Sequence, residues 1–260
     1  MSLSWQWHQQ RFGVQSPEQR HLLTSVSVVD GSEELPVIPP GVSPSIERML
    51  SRPRPRWRGR IHRVAVPCSI ATALIVAFNV PAGQDRIGAL VYGAGATLML
   101  VASSIVHFKK WPIPIWEKLF RFDHAAIFIL IGAGATPIAI SALDGRSTTL
   151  MLLAVWIGAG IGVVMRLLPF HPPKGLMNTL YIALGWVPIV VAPEIFESLS
   201  GTALALLIAE GVLYCAGALM LGARWPDPSP KVFGYHEVWH VSVTTAVWLH
   251  YVLILLIANP

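Results

Sequence analysis

Seven long apolar runs occupy most of the chain beyond residue 63, and each is close to the length of about 20 residues that a helix needs to cross a bilayer. Charged residues make up only 13% of the 260 residues, whereas about 25% is typical of soluble domains. The runs are residues 64–80, 87–107, 123–143, 148–168, 179–196, 202–222 and 236–258. We therefore predict an all-α integral membrane protein, a seven-transmembrane-helix bundle with short loops, and exclude a soluble globular fold.

The segment before the first apolar run has a different character. Residues 1–60 contain seven prolines, scattered charges and no long apolar run, a composition typical of disorder. No basic stretch followed by a short apolar core lies near Met1, so we expect no secretory signal peptide. The predicted organisation is a largely disordered cytoplasmic tail over residues 1–60 and one seven-helix membrane domain over residues 61–260.

A cluster of arginines immediately precedes the first run. Its members are Arg52, Arg54, Arg56, Arg58, Arg60 and Arg63. Such a cluster is typical either of binding to nucleic acid or anionic lipid or of a positive-inside topology signal, and the adjacent span favours the topology signal. Basic loops alternate with neutral or acidic ones along the chain. We predict a cytoplasmic N-terminus, an outside C-terminus, a location in the plasma (inner) membrane, membrane lipids as partners and no nucleic acid.

A few ionisable side chains lie at membrane depth, where such groups are costly and mark functional sites. The predicted topology places His107 at the inner end of the second run and Asp123 at the inner start of the third. His236 and His240 open the seventh run on one helix face, a spacing that suits two nitrogen ligands of one zinc ion. We predict a metal site there, completed by a third histidine and a carboxylate or water. The alternative is a set of ordinary histidines at head-group depth.

The string His236-Glu237-x-x-His240 also matches the H-E-x-x-H motif of zinc proteases, in which the glutamate is the general base. A protease would need a third ligand, and the predicted topology places Asp144 at the opposite membrane surface. We therefore favour a metal site without protease chemistry and expect Glu237 to face the cytoplasmic loop. A retinal-type receptor is disfavoured because the seventh run has no lysine.

The remaining polar and sulfur-containing side chains of the apolar runs are expected to be structural. Glu210 lies in the middle of the sixth run, and a hydrogen-bonded core role is favoured over proton handling. His250 is expected to be a packing histidine, and His124 is rotated by about 100° from Asp123 on a helix. Cys68 and Cys215 lie in apolar runs and are expected to be small packing residues, with no disulfide and no cysteine-based zinc cluster.

The polar residues of these runs recur in motifs that resemble the haemolysin III / progestin and adipoQ receptor (PAQR) family. The resemblance covers residues 58–260. Its motifs are Ser103-x-x-x-His107, Asp123-His124-x-x-Ile127, Ile131-Gly132-Ala133-Gly134-Ala135-Thr136-Pro137, Tyr181-Ile182-x-x-Gly185-Trp186 and His236-Glu237-x-x-His240, with His62 and Val91-Tyr92-Gly93 as weaker matches. Glu210 departs from the family pattern, which usually has a small residue there.

The resemblance implies seven helices and a zinc ion near the inner leaflet, held by His107, His236 and His240. Asp123 would contact the zinc or hold its water as a general base, and Ser103 would support the site. The wider superfamily includes alkaline ceramidases, so one implied function is zinc-dependent hydrolysis of lipid amides or esters. The alternative is a non-enzymatic, receptor-like or membrane-homeostasis protein with a structural zinc. A pore-forming role is disfavoured because no run carries a long polar stripe.

Overall fold

The computed structural model describes residues 54–168, 173 and 175–259, and these form a bundle of α-helices without any strand. We number the helices α1 to α8 in chain order. They are α1 Arg60–Asn79, α2 Gln84–Val106, α3 Ile113–Ala142, α4 Gly145–Leu167, α5 Leu176–Gly185, α6 Ala192–Ser198, α7 Gly201–Ala223 and α8 Tyr235–Ala258. The fifth membrane span, Leu176–Ser198, consists of α5, the 3-10 helix Val187–Val191 and α6.

The prediction of seven membrane-spanning helices is confirmed. All seven spans are long and apolar enough to cross a bilayer, and large hydrophobic side chains are exposed on their outer faces, as expected for contact with lipid. The sidedness of the termini stays a prediction. The predicted tail falls mostly on residues 1–53, which lie outside the described residues, as do His171 and Lys174 of the fourth loop.

Two helices differ from the prediction, and prolines account for both differences. Helix α3 begins ten residues before the predicted third span, so that Lys118 and Arg121, which precede that predicted span, lie within the helix. Proline is favoured at the first turn of a helix, and Pro114 occupies that position in α3. The fifth span is broken near Pro188, where the chain forms a 3-10 turn, because proline removes a backbone donor from the helical ladder.

Helices α2, α3 and α8 form the centre of the bundle, and the other helices pack around them. Consecutive helices pack side by side from α1 to α4, α7 packs along α8, and α8 closes against α1. A buried apolar cluster joins α1, α2, α3 and α8, and a second joins α3, α4 and α8 to α6 and α7. This arrangement places the end of α2 beside the start of α8.

A close backbone contact holds α2 against α3. A Cβ atom added to Gly95 would lie 2.5 Å from the Cβ atom of Ala133, which is closer than two carbon atoms approach in proteins. Helices in membranes associate chiefly by such small-residue packing, because lipid tails are as apolar as leucine. The contact therefore fixes the distance between the two central helices.

We expected both cysteines to be packing residues, and the structure contradicts this for Cys68 and supports it only in part for Cys215. Cys68 is exposed on the outer surface of α1, whereas Cys215 is half-buried. Cys68 therefore faces the lipid rather than the core, and the two thiols are free.

We predict that Gly95→Leu separates α2 from α3 and destabilises the fold by about 1–3 kcal/mol, the usual cost of an overpacked contact. The matched control is Gly160→Leu in α4, where an added Cβ atom meets nothing within 4 Å. Thermal unfolding of the two purified variants in detergent measures the difference. Equal melting temperatures for the two variants would show that the α2–α3 contact does not limit stability.

Candidate metal centre

Three histidines from two helices meet at one end of the bundle. His107 follows the last residue of α2, and His236 and His240 occupy the first two turns of α8. One ring nitrogen of each lies within 4.8 Å of one ring nitrogen of each of the others. The Nε2 atoms of His107 and His236 are 3.2 Å apart. His107 and His240 are buried and His236 is half-buried.

The donor set fits a transition-metal ion. Two nitrogens bound to one tetrahedral zinc at the usual distance of about 2.0–2.1 Å lie roughly 3.3 Å apart, close to the His107–His236 separation of 3.2 Å. A neutral imidazole is the form that binds a metal, and the burial of His107 favours the neutral form over the charged one.

The segment of residues 54–59, before α1, contacts His107 and the loop before α8. Arg54 donates a hydrogen bond to the backbone carbonyl of His107, and a Cβ atom added to Gly59 would lie 2.6 Å from the Cβ atom of His107. The backbone N–H groups of Arg56 and Trp57 donate to the carbonyls of Lys231 and Val232, each at 3.0 Å. These contacts join the start of α1, the end of α2 and the loop before α8.

Glu237 does not face the loop as expected. It is 1% exposed, and its Oε1 atom accepts a hydrogen bond from Nε of Arg58 at 2.6 Å. Its Oε2 atom accepts the backbone N–H of Gly234 at 2.9 Å, which caps the first turn of α8. Both oxygens of the carboxylate are therefore engaged in holding the start of the helix that carries His236 and His240.

The predicted supporting residues, Ser103 and Asp123, lie outside the histidine cluster. Ser103 is buried one turn before His107, and its hydroxyl is within hydrogen-bonding reach of the carboxylate of Asp123. Asp123 is buried in α3, but its carboxylate does not join the three-histidine cluster. His124 is directed elsewhere, because its Nδ1 atom hydrogen-bonds the carbonyl of Phe120 at 2.9 Å.

His62 is a neighbour of the cluster that the spacing argument missed. It is 2% exposed, and its ring stacks on that of His240 with centroids 4.0 Å apart and planes 27° apart. The sequence contained one signal, since His62 was among the weaker family matches. Asp144, the rejected protease ligand, lies beyond the far end of α3, a helix of 30 residues and about 45 Å.

A second buried polar pair lies farther along α8. The Nδ1 atom of His250 is 2.9 Å from both carboxylate oxygens of Glu210 in α7, and both side chains are buried. Glu210 was expected to be a hydrogen-bonded core residue, and His250 is its partner at the same depth. The residue pattern alone did not identify this partner. The ring of Tyr92 packs on His250 with centroids 4.2 Å apart. Ten residues of helix, about 15 Å, separate this pair from His240.

Comparison with known proteins places the chain in a family. The model of the family described as "Haemolysin-III related" matches residues 50–251. The chain belongs to the haemolysin III family. It is 31% identical to "Hemolysin-3" of Bacillus cereus over 59% of this chain and 67% of that protein. It is 28% identical to "Hemolysin-3 homolog" of Bacillus subtilis (strain 168), over 70% of this chain and 84% of that one.

The family extends to animals. The chain is 25% identical to "Monocyte to macrophage differentiation factor" of Homo sapiens over 72% of this chain and 76% of that protein. No solved structure matches the chain. The resemblance to the haemolysin III/PAQR family drawn from the motifs is thereby confirmed, and the protein is a multi-pass membrane protein of this family.

We predict that Arg58→Met destabilises the protein by about 3 kcal/mol, because it leaves the carboxylate of Glu237 buried without its charged partner. The double variant Arg58→Met/Glu237→Gln should recover much of the loss, since glutamine removes the charge and still accepts the N–H of Gly234. Thermal unfolding in detergent compares them, with Arg56→Met as the control that removes an arginine of the same segment. A double variant no more stable than Arg58→Met would contradict the assigned role.

Proposed function

We propose that His107, His236 and His240 bind a zinc ion and that the protein hydrolyses an amide or ester bond of a membrane lipid near the inner leaflet. The observation that carries the proposal is the convergence of three histidine nitrogens within 4.8 Å at one end of the bundle. Three neutral histidines are the protein ligands of a known class of catalytic zinc site. When bound there, zinc supplies a Lewis acid with one open coordination position.

Asp123 and Ser103 serve this site through a hydrogen bond. The carboxylate of Asp123 lies outside the histidine cluster, so we assign it to a water molecule rather than to the metal itself. In that position Asp123 orients the water and accepts its proton as a general base. Ser103 donates its hydroxyl hydrogen to the same carboxylate and keeps it directed toward the site.

The position of the site supports a lipid as the substrate. The three histidines lie at the ends of the membrane-spanning helices α2 and α8. This is the depth of lipid head groups and of the amide or ester bonds next to them. The positive-inside rule, applied to the alternation of basic loops with neutral or acidic ones, supports the placement of this end of the bundle at the cytoplasmic leaflet.

The segment of residues 54–59 also favours a second candidate function. A zinc site that is closed by its surroundings is typical of a structural metal, and Gly59 and Arg54 contact His107 directly. In this alternative the protein is a receptor-like or membrane-homeostasis protein, and the zinc fixes the start of α8 against the end of α2. The two functions share the metal ligands and differ in whether lipid is cleaved.

We expect the purified wild-type protein to hold about one zinc per chain and the variants His107→Ala, His236→Ala and His240→Ala to hold almost none. Each variant removes one of three ligands. Elemental analysis by mass spectrometry measures the stoichiometry. His250→Ala is the matched control, because it removes a buried histidine of the same helix that lies outside the cluster. Stoichiometric zinc in the His236→Ala variant would show that the ligand assignment is wrong.

We expect zinc-loaded protein to release fatty acid from a ceramide in mixed micelles and zinc-free protein not to do so. Asp123→Asn should retain the zinc and reduce the rate by a factor of about 10²–10⁴, the usual contribution of a general base. Fatty acid release is measured by mass spectrometry across a panel of lipid amides and esters. Zinc-dependent thermal stability without zinc-dependent release from any lipid would favour the structural alternative instead.

A further inference from the structure

An apolar groove runs along the outer surface of the bundle between α1 and α8. Its volume is about 680 Å³, and it extends from Trp57 and Arg60 at the start of α1 to Val76 and Leu255 near the far ends of the two helices. It lies on the lipid-facing side and does not include the three histidines of the candidate metal centre.

Small side chains of α1 line part of the groove. Ala65, Cys68 and Thr72 follow one another at helical spacing on α1, and the larger Trp248 lines the groove from α8. Thr244 of α8 also lines it, and its buried hydroxyl has no hydrogen-bond partner among the residues that the structure describes. A depression of this shape accommodates an extended acyl chain.

The end of the groove at the start of α1 is positively charged. Arg60 lines it, is exposed, and forms no ion pair within the described part of the chain. Trp57 lies beside it and is 45% exposed, and tryptophan is the side chain that membrane proteins favour at head-group depth. A guanidinium group binds a phosphate through two parallel hydrogen bonds. Arg60 therefore complements the phosphate of a lipid whose chain lies in the groove.

We propose that this groove is a binding site for an anionic phospholipid, with the phosphate on Arg60 and one acyl chain along Cys68 and Thr72. The neighbouring Arg63 raises the local positive potential, which selects an anionic head group over a zwitterionic one. The proposal is independent of the metal and of lipid hydrolysis, because the groove lies outside the histidine cluster.

Native mass spectrometry of the full-length protein in detergent tests the site, with equal amounts of added phosphatidylglycerol and phosphatidylcholine. We expect preferential retention of phosphatidylglycerol by the wild type. Arg60→Gln should lower that retention about fivefold. Arg56→Gln is the matched control, because it removes the same charge from the same segment but does not line the groove.

Filling the groove gives a second test that leaves the charge unchanged. Cys68→Trp should block retention of phosphatidylglycerol, whereas Ile70→Trp, at an exposed position of α1 outside the groove, should not. Equal retention of the two lipids by the wild type, or equal losses in the Arg60→Gln and Arg56→Gln variants, would overturn the proposal. So would efficient disulfide cross-linking through Cys68 between two chains in a Cys215→Ala background, since it would show that a second copy covers the groove.

Discussion

The absence of water from the bilayer core is the constraint on which this structure depends. An unpaired polar group there costs several kcal/mol, so polar side chains inside the bundle gain from a partner on another helix. Tyr92 of α2 donates to the carbonyl of Val247 at 3.0 Å, and the hydroxyls of Ser69 and Tyr251 lie 3.0 Å apart between α1 and α8. Together with Glu210 and His250, these contacts fix how α8 is rotated against its neighbours. Apolar packing alone does not fix this rotation, because lipid competes equally for every apolar face.

The rotation of α8 in turn determines the candidate metal centre. His236 and His240 lie on the same helix as Tyr251 and His250, so the polar contacts deeper in the membrane also direct the two ligands toward the end of α2. The third ligand, His107, comes at the point where α2 ends, and its backbone carbonyl is held by Arg54. The site is thus formed by the end of α2 and the start of α8, which are separated in the sequence by helices α3 to α7.

Residue patterns were sufficient to predict the seven spans and the convergence of His107, His236 and His240 at one end of the bundle. Both predictions rest on span length and loop charge, which follow directly from the sequence. Residue patterns were not sufficient where a contact depends on the rotation of one helix against another. Glu210 and His250 are 40 positions apart, and no periodicity relates them. The stacking of His62 on His240 likewise depends on how α1 crosses α8. Residue patterns also did not show whether Asp123 belongs to the cluster, and the structure leaves its carboxylate outside the three histidines.

The fold gives Glu237 a different role from the one that its sequence motif predicts. In a zinc protease the glutamate of H-E-x-x-H acts on a water molecule, which requires a carboxylate oxygen free to accept a proton. Here one oxygen accepts a hydrogen bond from Arg58, and the other accepts one from the backbone N–H of Gly234. The same five-residue string therefore brings two histidines into the candidate metal centre and caps the helix through its glutamate. In the hydrolysis proposed above the proton acceptor comes from another helix, as the buried carboxylate of Asp123, which lies within hydrogen-bonding reach of Ser103.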